Sequence, residues 1–272
     1  MNTGKTFLIC LLFCALIPSV RLCAAEPSVW KDVRSLSMGS VYAPTSSYLN
    51  PSALSLSPEN ALICAYENRF FVKELSTLTA CWQQPNRWLD FSVLVNYFGY
   101  ELYRETRCGI NVSKVLKPGL SVGVRIYYFH LQYADNKDKV QVVSGDIGLQ
   151  YQPVDNLRIG MVIYNPFRVS YKQYGEEYDL PVTMEIGAEY TFTEVCSGLF
   201  GVEKDTRYPV CFKAALSYEI AQFMELRIGM LTSPWMPTGG LGLRFDVFRV
   251  DVALNYHTSL GISPAMSICY YF

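Results

Sequence analysis

The sequence predicts an all-β chain: a transmembrane antiparallel up-and-down β-barrel of about fourteen strands, with a short N-terminal segment plugging the lumen. Three observations carry that expectation. From about residue 60 onward, stretches of eight to twelve residues alternate apolar and polar, each followed by a turn signal. The apolar set is nearly free of charge, and the opposite set carries most of the charge. The chain is 50% hydrophobic, with 20 Tyr and 15 Phe, an excess suited to lipid contact and aromatic girdles.

The two ends set the compartment. Lys5 precedes an apolar run from Phe7 to Pro18, and Cys23-Ala24-Ala25 supplies small residues before Glu26. A basic start, a short apolar centre and a small-residue exit describe a secretory signal peptide. The run falls short of the roughly 20 apolar residues of a membrane helix. Cleavage is expected near Ala25. A lipid anchor at Cys23 is the alternative, disfavoured by Leu22 where a small residue is wanted. Losing Lys5 and Arg21 takes the formal net charge from −1 to −3. No basic patch points to nucleic acid.

At the other end, Met266, Ile268, Tyr270 and Phe272 share one face at period two, and Ser263, Ala265 and Ser267 share the other. This pattern resembles the C-terminal strand of bacterial outer-membrane barrels, where the resemblance implies that the barrel-assembly machinery reads Tyr270 and Phe272. The expected location is therefore the cell outer membrane, with the lipid bilayer as surroundings.

Along the strands, Leu120, Val122, Val124, Ile126 and Tyr128 alternate with Ser121, Gly123, Arg125 and Tyr127. Met184, Ile186, Ala188, Tyr190 and Phe192 alternate with Glu185, Gly187, Glu189 and Thr191. A helix would scatter both sets around its circumference. Strand centres are expected near residues 64, 79, 95, 109, 125, 147, 161, 188, 200, 215, 227, 243, 253 and 266, with the last strand closing on the first. Short turns are expected at Gln84-Pro85-Asn86, Lys117-Pro118-Gly119, Val154-Asp155-Asn156, Glu194-Val195, Ala221-Gln222 and Phe248-Arg249. Longer loops are expected at Ala134–Lys139, Asn165–Pro181 and Leu231–Thr238. A soluble β-sandwich also alternates, but the signal, the terminal Phe and the strand number argue against it.

The polar set holds Arg107, Arg125, Asp146, Arg158, Glu185, Glu189, Lys213, Glu219, Glu225, Arg227, Arg244, Asp246 and Asp251. An Arg facing lipid near the midplane costs about 2–4 kcal/mol, so these residues are assigned to the lumen. Their signs mix, which favours ion-pair ladders over a conduction path.

Residues 26–58 do not alternate, and the barrel is expected to occupy 59–272. Met38-Gly39 and Asn50-Pro51, followed by Leu54, resemble the entry of the fatty-acid-transporter (FadL) superfamily, especially its PorV/PorQ branch; Ser52 departs from the usual Ala. The resemblance covers the N-terminal third well and the rest through strand count and the terminal aromatic. It implies a hatch inside the lumen formed by 26–58; an ordinary periplasmic lead-in is the plainer reading. Pro51 fixes its own φ and biases Asn50 to extended geometry. Ser52 is placed to cap a following turn. A fourteen-strand interior is too wide for its own side chains to fill, so something must occupy it. Asp32 and Arg34 are expected to pair with wall charges such as Arg125, Arg158, Glu185 or Glu225.

Six cysteines remain after the signal, Cys64, Cys81, Cys108, Cys196, Cys211 and Cys269, scattered without metal-type spacing. Packing is the expected role, with disulfides as the alternative. The two histidines, His130 and His257, lie near strand ends, and His257 adjoins Thr258 and Ser259; no nucleophile elbow accompanies them, so no enzyme is expected. Glu176, Glu177 and Asp179 form a small acidic group whose calcium-binding reading is weaker than a solvated loop. No cofactor and no metal are expected. Thin loops and a mixed-sign interior favour, within the resemblance, a PorV/PorQ-like docking or accessory subunit with a protein partner in the cell envelope. The alternative is a FadL-like channel taking a hydrophobic ligand.

Overall fold

The computed structural model describes residues 30–56, 59–133, 139–173 and 176–272. The expected signal peptide and its cleavage near Ala25 lie outside the described residues. The first described element is one and a half turns of helix, α1 (Val33–Ser37), whose Asp32 caps it by accepting from the Arg34 amide at 3.1 Å.

Among the described residues, fourteen antiparallel strands close into one barrel. In chain order they begin β1 (Ala61–Asn68), β2 (Ser76–Gln84), β3 (Asp90–Tyr100), β4 (Tyr103–Lys117), β5 (Leu120–Tyr133), β6 (Lys139–Val154) and β7 (Leu157–Tyr164). A small separate hairpin follows, β8 (Ser170–Gln173) and β9 (Glu176–Asp179). The wall resumes with β10 (Thr183–Thr193), β11 (Cys196–Asp205), β12 (Cys211–Ala221), β13 (Met224–Thr232), β14 (Trp235–Arg244), β15 (Phe248–His257) and β16 (Gly261–Tyr271). Each wall strand pairs with its sequence neighbour, β7 pairs with β10 across the hairpin, and β16 closes on β1 with Cys64 opposite Ile268.

Burial follows the period-two pattern. Ile126 and Ile228 stand 64% and 55% exposed on the outer surface, whereas Arg125 and Arg227 between the same neighbours are fully buried inside. On β16, Ser263, Ala265 and Ser267 are buried and Met266, Ile268 and Tyr270 are exposed. An apolar outer face along the middle of the strands, with charge inside or near the strand ends, is what a bilayer demands of a barrel. No described helix is long and apolar enough to cross a membrane, which says nothing of strands.

Three sequence expectations need correction. The turn expected at Phe248-Arg249 lies at 245–247, because β15 already begins at Phe248. The loop expected over Leu231–Thr238 shrinks to Ser233-Pro234, and Pro237 sits inside β14 opposite Met230. The connections at the loop end are thus not uniformly long, since β3 and β4 also join through only two residues. The expected loop Ala134–Lys139 lies outside the described residues apart from Lys139, which begins β6.

Candidate functional site

Residues 30–56 lie against the inward faces of the wall and follow its circumference. α1 packs on β13 to β16. The chain then crosses β13 at Met38-Gly39, β10 and β7 at Val41 to Pro44, and β6 and β5 at Asn50 to Ser52. It ends at Ser55, whose hydroxyl donates to Asp90 Oδ2 at 2.7 Å and lies 2.8 Å from Ser113 Oγ. The wall makes room with glycines. A Cβ added at Gly123, Gly148, Gly160, Gly187, Gly229 or Gly240 would overlap the segment's atoms, mostly its main chain. Close backbone approach is the reason these inward positions carry no side chain.

Three polar groups of the wall grip the segment, largely through its peptide groups. On β10, Glu185 Oε1 accepts from the Tyr42 and Ala43 amides at 2.8 Å each, while its Oε2 pairs with Lys213 Nζ at 2.5 Å. Lys213 also donates to the Ser40 carbonyl at 2.8 Å and to Glu203 at 2.7 Å, and Glu203 accepts from the Tyr42 hydroxyl at 2.9 Å. On β5, Arg125 pairs with Asp146 at 3.0 Å, donates to Asn111 Oδ1 at 2.6 Å, and donates to the Tyr48 and Leu49 carbonyls. Its guanidinium also lies over the Trp30 ring. On β13 and β15, Glu225, Arg227, Arg249 and Asp251 form one ion-paired group with contacts of 2.6–3.0 Å. Arg34 of the segment joins it at 3.5 Å through Glu225. Burial raises the phenols of Tyr42 and Tyr48 well above their usual values, with Glu203 and Asp32 respectively adding to the shift, so both stay neutral donors.

The residues of the entry motif are all drawn into this arrangement. Met38 packs with Val41, Leu199 and Ala215, and the Gly39 amide donates to Thr238 Oγ1 at 2.9 Å. Gly39 has φ +61°, the left-handed conformation that favours glycine. Asn50 Nδ2 donates to the Ala43 carbonyl at 2.7 Å; its Oδ1 accepts from the Ser52 amide and hydroxyl. The turn is therefore capped by Asn50, and Ser52 acts as donor rather than as the cap expected from sequence. Pro51 lies over Gly123 and Gly148, and Leu54 is buried.

The wall charges sort differently from the sequence assignment. Arg107, Arg125, Asp146, Glu185, Lys213, Glu225, Arg227 and Asp251 are buried inside. Arg158 and Glu189 pair with each other at 3.4 Å, partly exposed, so Arg158 is not an anchor of the segment. Arg244 is exposed at the rim, 4.0 Å from Glu219, and Asp246 sits exposed in the turn after β14. Neither contributes to the buried lumen: the apolar period continues through Phe245 and Val247 and conceals the turn. Arg249 and Glu203 were not singled out by sequence, although Arg249 shares Asp251's face two residues away.

The interior is also less uniformly charged than the sequence suggested. Toward the loop end, Tyr127, Phe129 and Leu131 of β5, Val140 and Val142 of β6 and Tyr164 of β7 face inward and form one cluster with Trp30 and Leu180. Tyr103, Tyr133 and Tyr171 pack against it, half-buried. The hairpin lies over this zone: Phe129 meets Tyr171, which stacks on Tyr178. Its base is held by Asn165, whose Nδ2 donates to the Leu180 carbonyl at 2.8 Å and whose Oδ1 accepts from Ser144 Oγ at 2.7 Å. Arg107 lies over the Phe129 ring at 4.9 Å.

The remaining sequence candidates do not converge on chemistry. His257 Nδ1 accepts from the Ser259 and Leu260 amides within its turn. Glu177 accepts from the Ser170 hydroxyl across the hairpin. Among the described residues all six cysteines are free, and no three His, Cys, Asp or Glu side chains gather as metal ligands would.

The fold is that of a transmembrane β-barrel with an internal segment. Neither a protein-family model nor a curated protein matches the chain. Solved structures do. CymD, described as a monoaromatic hydrocarbon channel, superposes with a TM-score of 0.66 at 12% identity, covering 88% of this chain and 96% of its own. The Pseudomonas putida toluene transporter TodX gives 0.59 at 12% identity over 87% and 96%. A Pseudomonas aeruginosa FadL homologue gives 0.59 at 11% over 87% and 96%. At these identities the likeness shows a shared fold.

Proposed function

We propose that the chain is an outer-membrane barrel that takes up hydrophobic small molecules, binding them first in the aromatic zone beneath the β8–β9 hairpin. The inward cluster around Tyr127, Phe129 and Tyr164 carries this reading. Aromatic and aliphatic side chains gathered at one end of a lumen offer an apolar solute a dehydrated site, with aromatic pairs adding about 0.5–1.5 kcal/mol each. CymD and TodX, which share the fold, are described as a monoaromatic hydrocarbon channel and a toluene transporter. The mixed charges, which favoured a PorV/PorQ-like docking subunit, sit in paired groups around residues 30–56. The charges that do reach the aromatic zone are paired as well: Arg107, over the Phe129 ring, lies 3.9 Å from Glu105, and Arg125, over the Trp30 ring, pairs with Asp146.

In this reading residues 26–58 plug the lumen, and entry of a ligand displaces the Tyr171–Tyr178 hairpin. Export with cleavage near Ala25 delivers the chain to the periplasm. The barrel-assembly machinery then inserts it, with Tyr270 and Phe272 as the signal.

The test is binding of toluene and of a long-chain fatty acid to the purified full chain by calorimetry. Saturable binding of either is expected, weakened about tenfold by Phe129→Ala. Absence of binding, together with an envelope protein copurifying in stoichiometric amount, would return the docking reading to first place.

A further inference from the structure

The barrel's stagger builds a second feature at its short-turn end. Pairing of β3 with β4 stops at Asp90 opposite Ser113, whereas β4 runs on to Lys117. The turn that joins β2 to β3 swings beside this overhang and leaves a cleft of about 470 Å³ lined by Arg87, Trp88, Leu89, Lys114 and Val115. In bacterial barrels short turns mark the periplasmic side, so the cleft lies at the inner interface of the membrane.

Its chemistry is divided. Arg87 and Lys114 form no ion pair or hydrogen bond among the described residues, unlike the buried cations of the lumen. The one carboxylate in the lining, Asp90, is turned to other work: Oδ1 accepts from the Asn86 amide at 2.8 Å and Oδ2 from Ser55 Oγ at 2.7 Å. Beside the cations, Trp88 is 78% exposed, and Leu89, Val115 and Leu116 are exposed as well. Lys114 stands in the same outward register as Ile110 and Cys108, so the cleft runs into the lipid-facing surface. Two unpaired cations next to an exposed indole, opening onto an apolar wall, match an anionic headgroup with attached acyl chains.

We propose that this cleft holds one anionic phospholipid, its phosphate between Arg87 and Lys114 and its acyl chains along the outer face of β4. A zwitterionic lipid brings its own cation and fits less well. Free phosphate gains nothing from the apolar side. Because Ser55 links Asp90 to the end of the lumen segment, an occupied cleft braces the point where that segment leaves the wall.

The experiment extracts the full chain from vesicles containing equal dioleoylphosphatidylglycerol and dioleoylphosphatidylcholine, then counts retained lipid by native mass spectrometry. One phosphatidylglycerol is expected, with at least tenfold less phosphatidylcholine. Arg87→Gln with Lys114→Gln should lower retention roughly ten- to thirtyfold, and Arg104→Gln at the opposite rim should leave it unchanged. Lys114→Gln alone serves if the double variant fails to close, as judged by heat-modifiable gel migration. Equal retention of both lipids, unchanged retention in the variants, or displacement by millimolar inorganic phosphate would overturn the proposal.

Discussion

Gly160 on β7 and Gly187 on β10 stand opposite one another in the ladder, and Pro44 of the internal segment lies across both. The segment approaches the wall there at backbone distance, and no side chain fits between. Gly160→Leu should force it off, since overpacking costs about 1–3 kcal/mol and here meets main chain rather than a yielding side chain. The expected result is a closed barrel whose residues 30–56 become protease-sensitive and whose conductance in planar bilayers rises. Gly239→Ala is the control, because the added carbon meets nothing nearer than the Arg227 carbonyl at 3.6 Å. Undiminished protection in Gly160→Leu would show that the segment is not held where it lies.

Glu225 collects Arg34, Arg227 and Arg249, and the three partners are not equivalent. Arg34 is the most exposed and the most distant of them, so Arg34→Ala should cost about 1 kcal/mol or less. Glu225→Ala strands buried guanidinium groups and should cost roughly 3–5 kcal/mol. Urea titration of heat-modifiable migration can rank the two. Equal losses would mean that the network is cemented by the segment rather than by the wall.

Asn165 adopts φ +50° and clamps both ends of the hairpin loop. Asparagine tolerates this conformation better than most residues. Asn165→Ala removes the acceptor for Ser144 and the Val169 amide and should cost about 1–3 kcal/mol locally. Cleavage within 170–179 should then quicken about tenfold or more, while the barrel remains heat-modifiable. An unchanged cleavage rate would argue that Tyr171 and Tyr178 alone seat the hairpin.

At the seam, the Phe272 amide donates to the Asn60 carbonyl and its ring stacks on Tyr270 at 6.0 Å. Phe272→Ala should lower the assembled fraction in cells and leave the refolded barrel's stability within about 1 kcal/mol, since the ring is exposed. Normal assembly of the variant would remove the terminal aromatic from its signalling role.

How much of this could be read in the sequence depends on how the two faces of each strand differ. On β10, Met184 to Phe192 separated from Glu185 and Glu189 because lipid and lumen demand opposite chemistry. The same logic located Arg125, Glu185 and Arg227. It failed where both faces accept the same residue: Tyr128 looks outward and Phe129 inward, so alternation disappears at the top of β5 and the aromatic zone with it. It failed again at 245–247, where an apolar turn at the interface prolonged the period. The glycine track was visible only as small residues in the polar set, with no indication of what lay over them. Which wall charge meets which peptide group is a matter of register over 76 to 173 residues of separation, and no local pattern encodes it.

The route of residues 30–56 also bears on the order of events in assembly. This stretch touches strands from both halves of the sequence, from β2 through β16, and precedes β1 at the seam. A finished cylinder would have to admit it end-on, past aromatic side chains or ion-paired groups. Laying it down first and wrapping the sheet around it requires no threading. In that order the segment would serve as a mandrel, with the wall laid against it and β16 sealed onto β1 last.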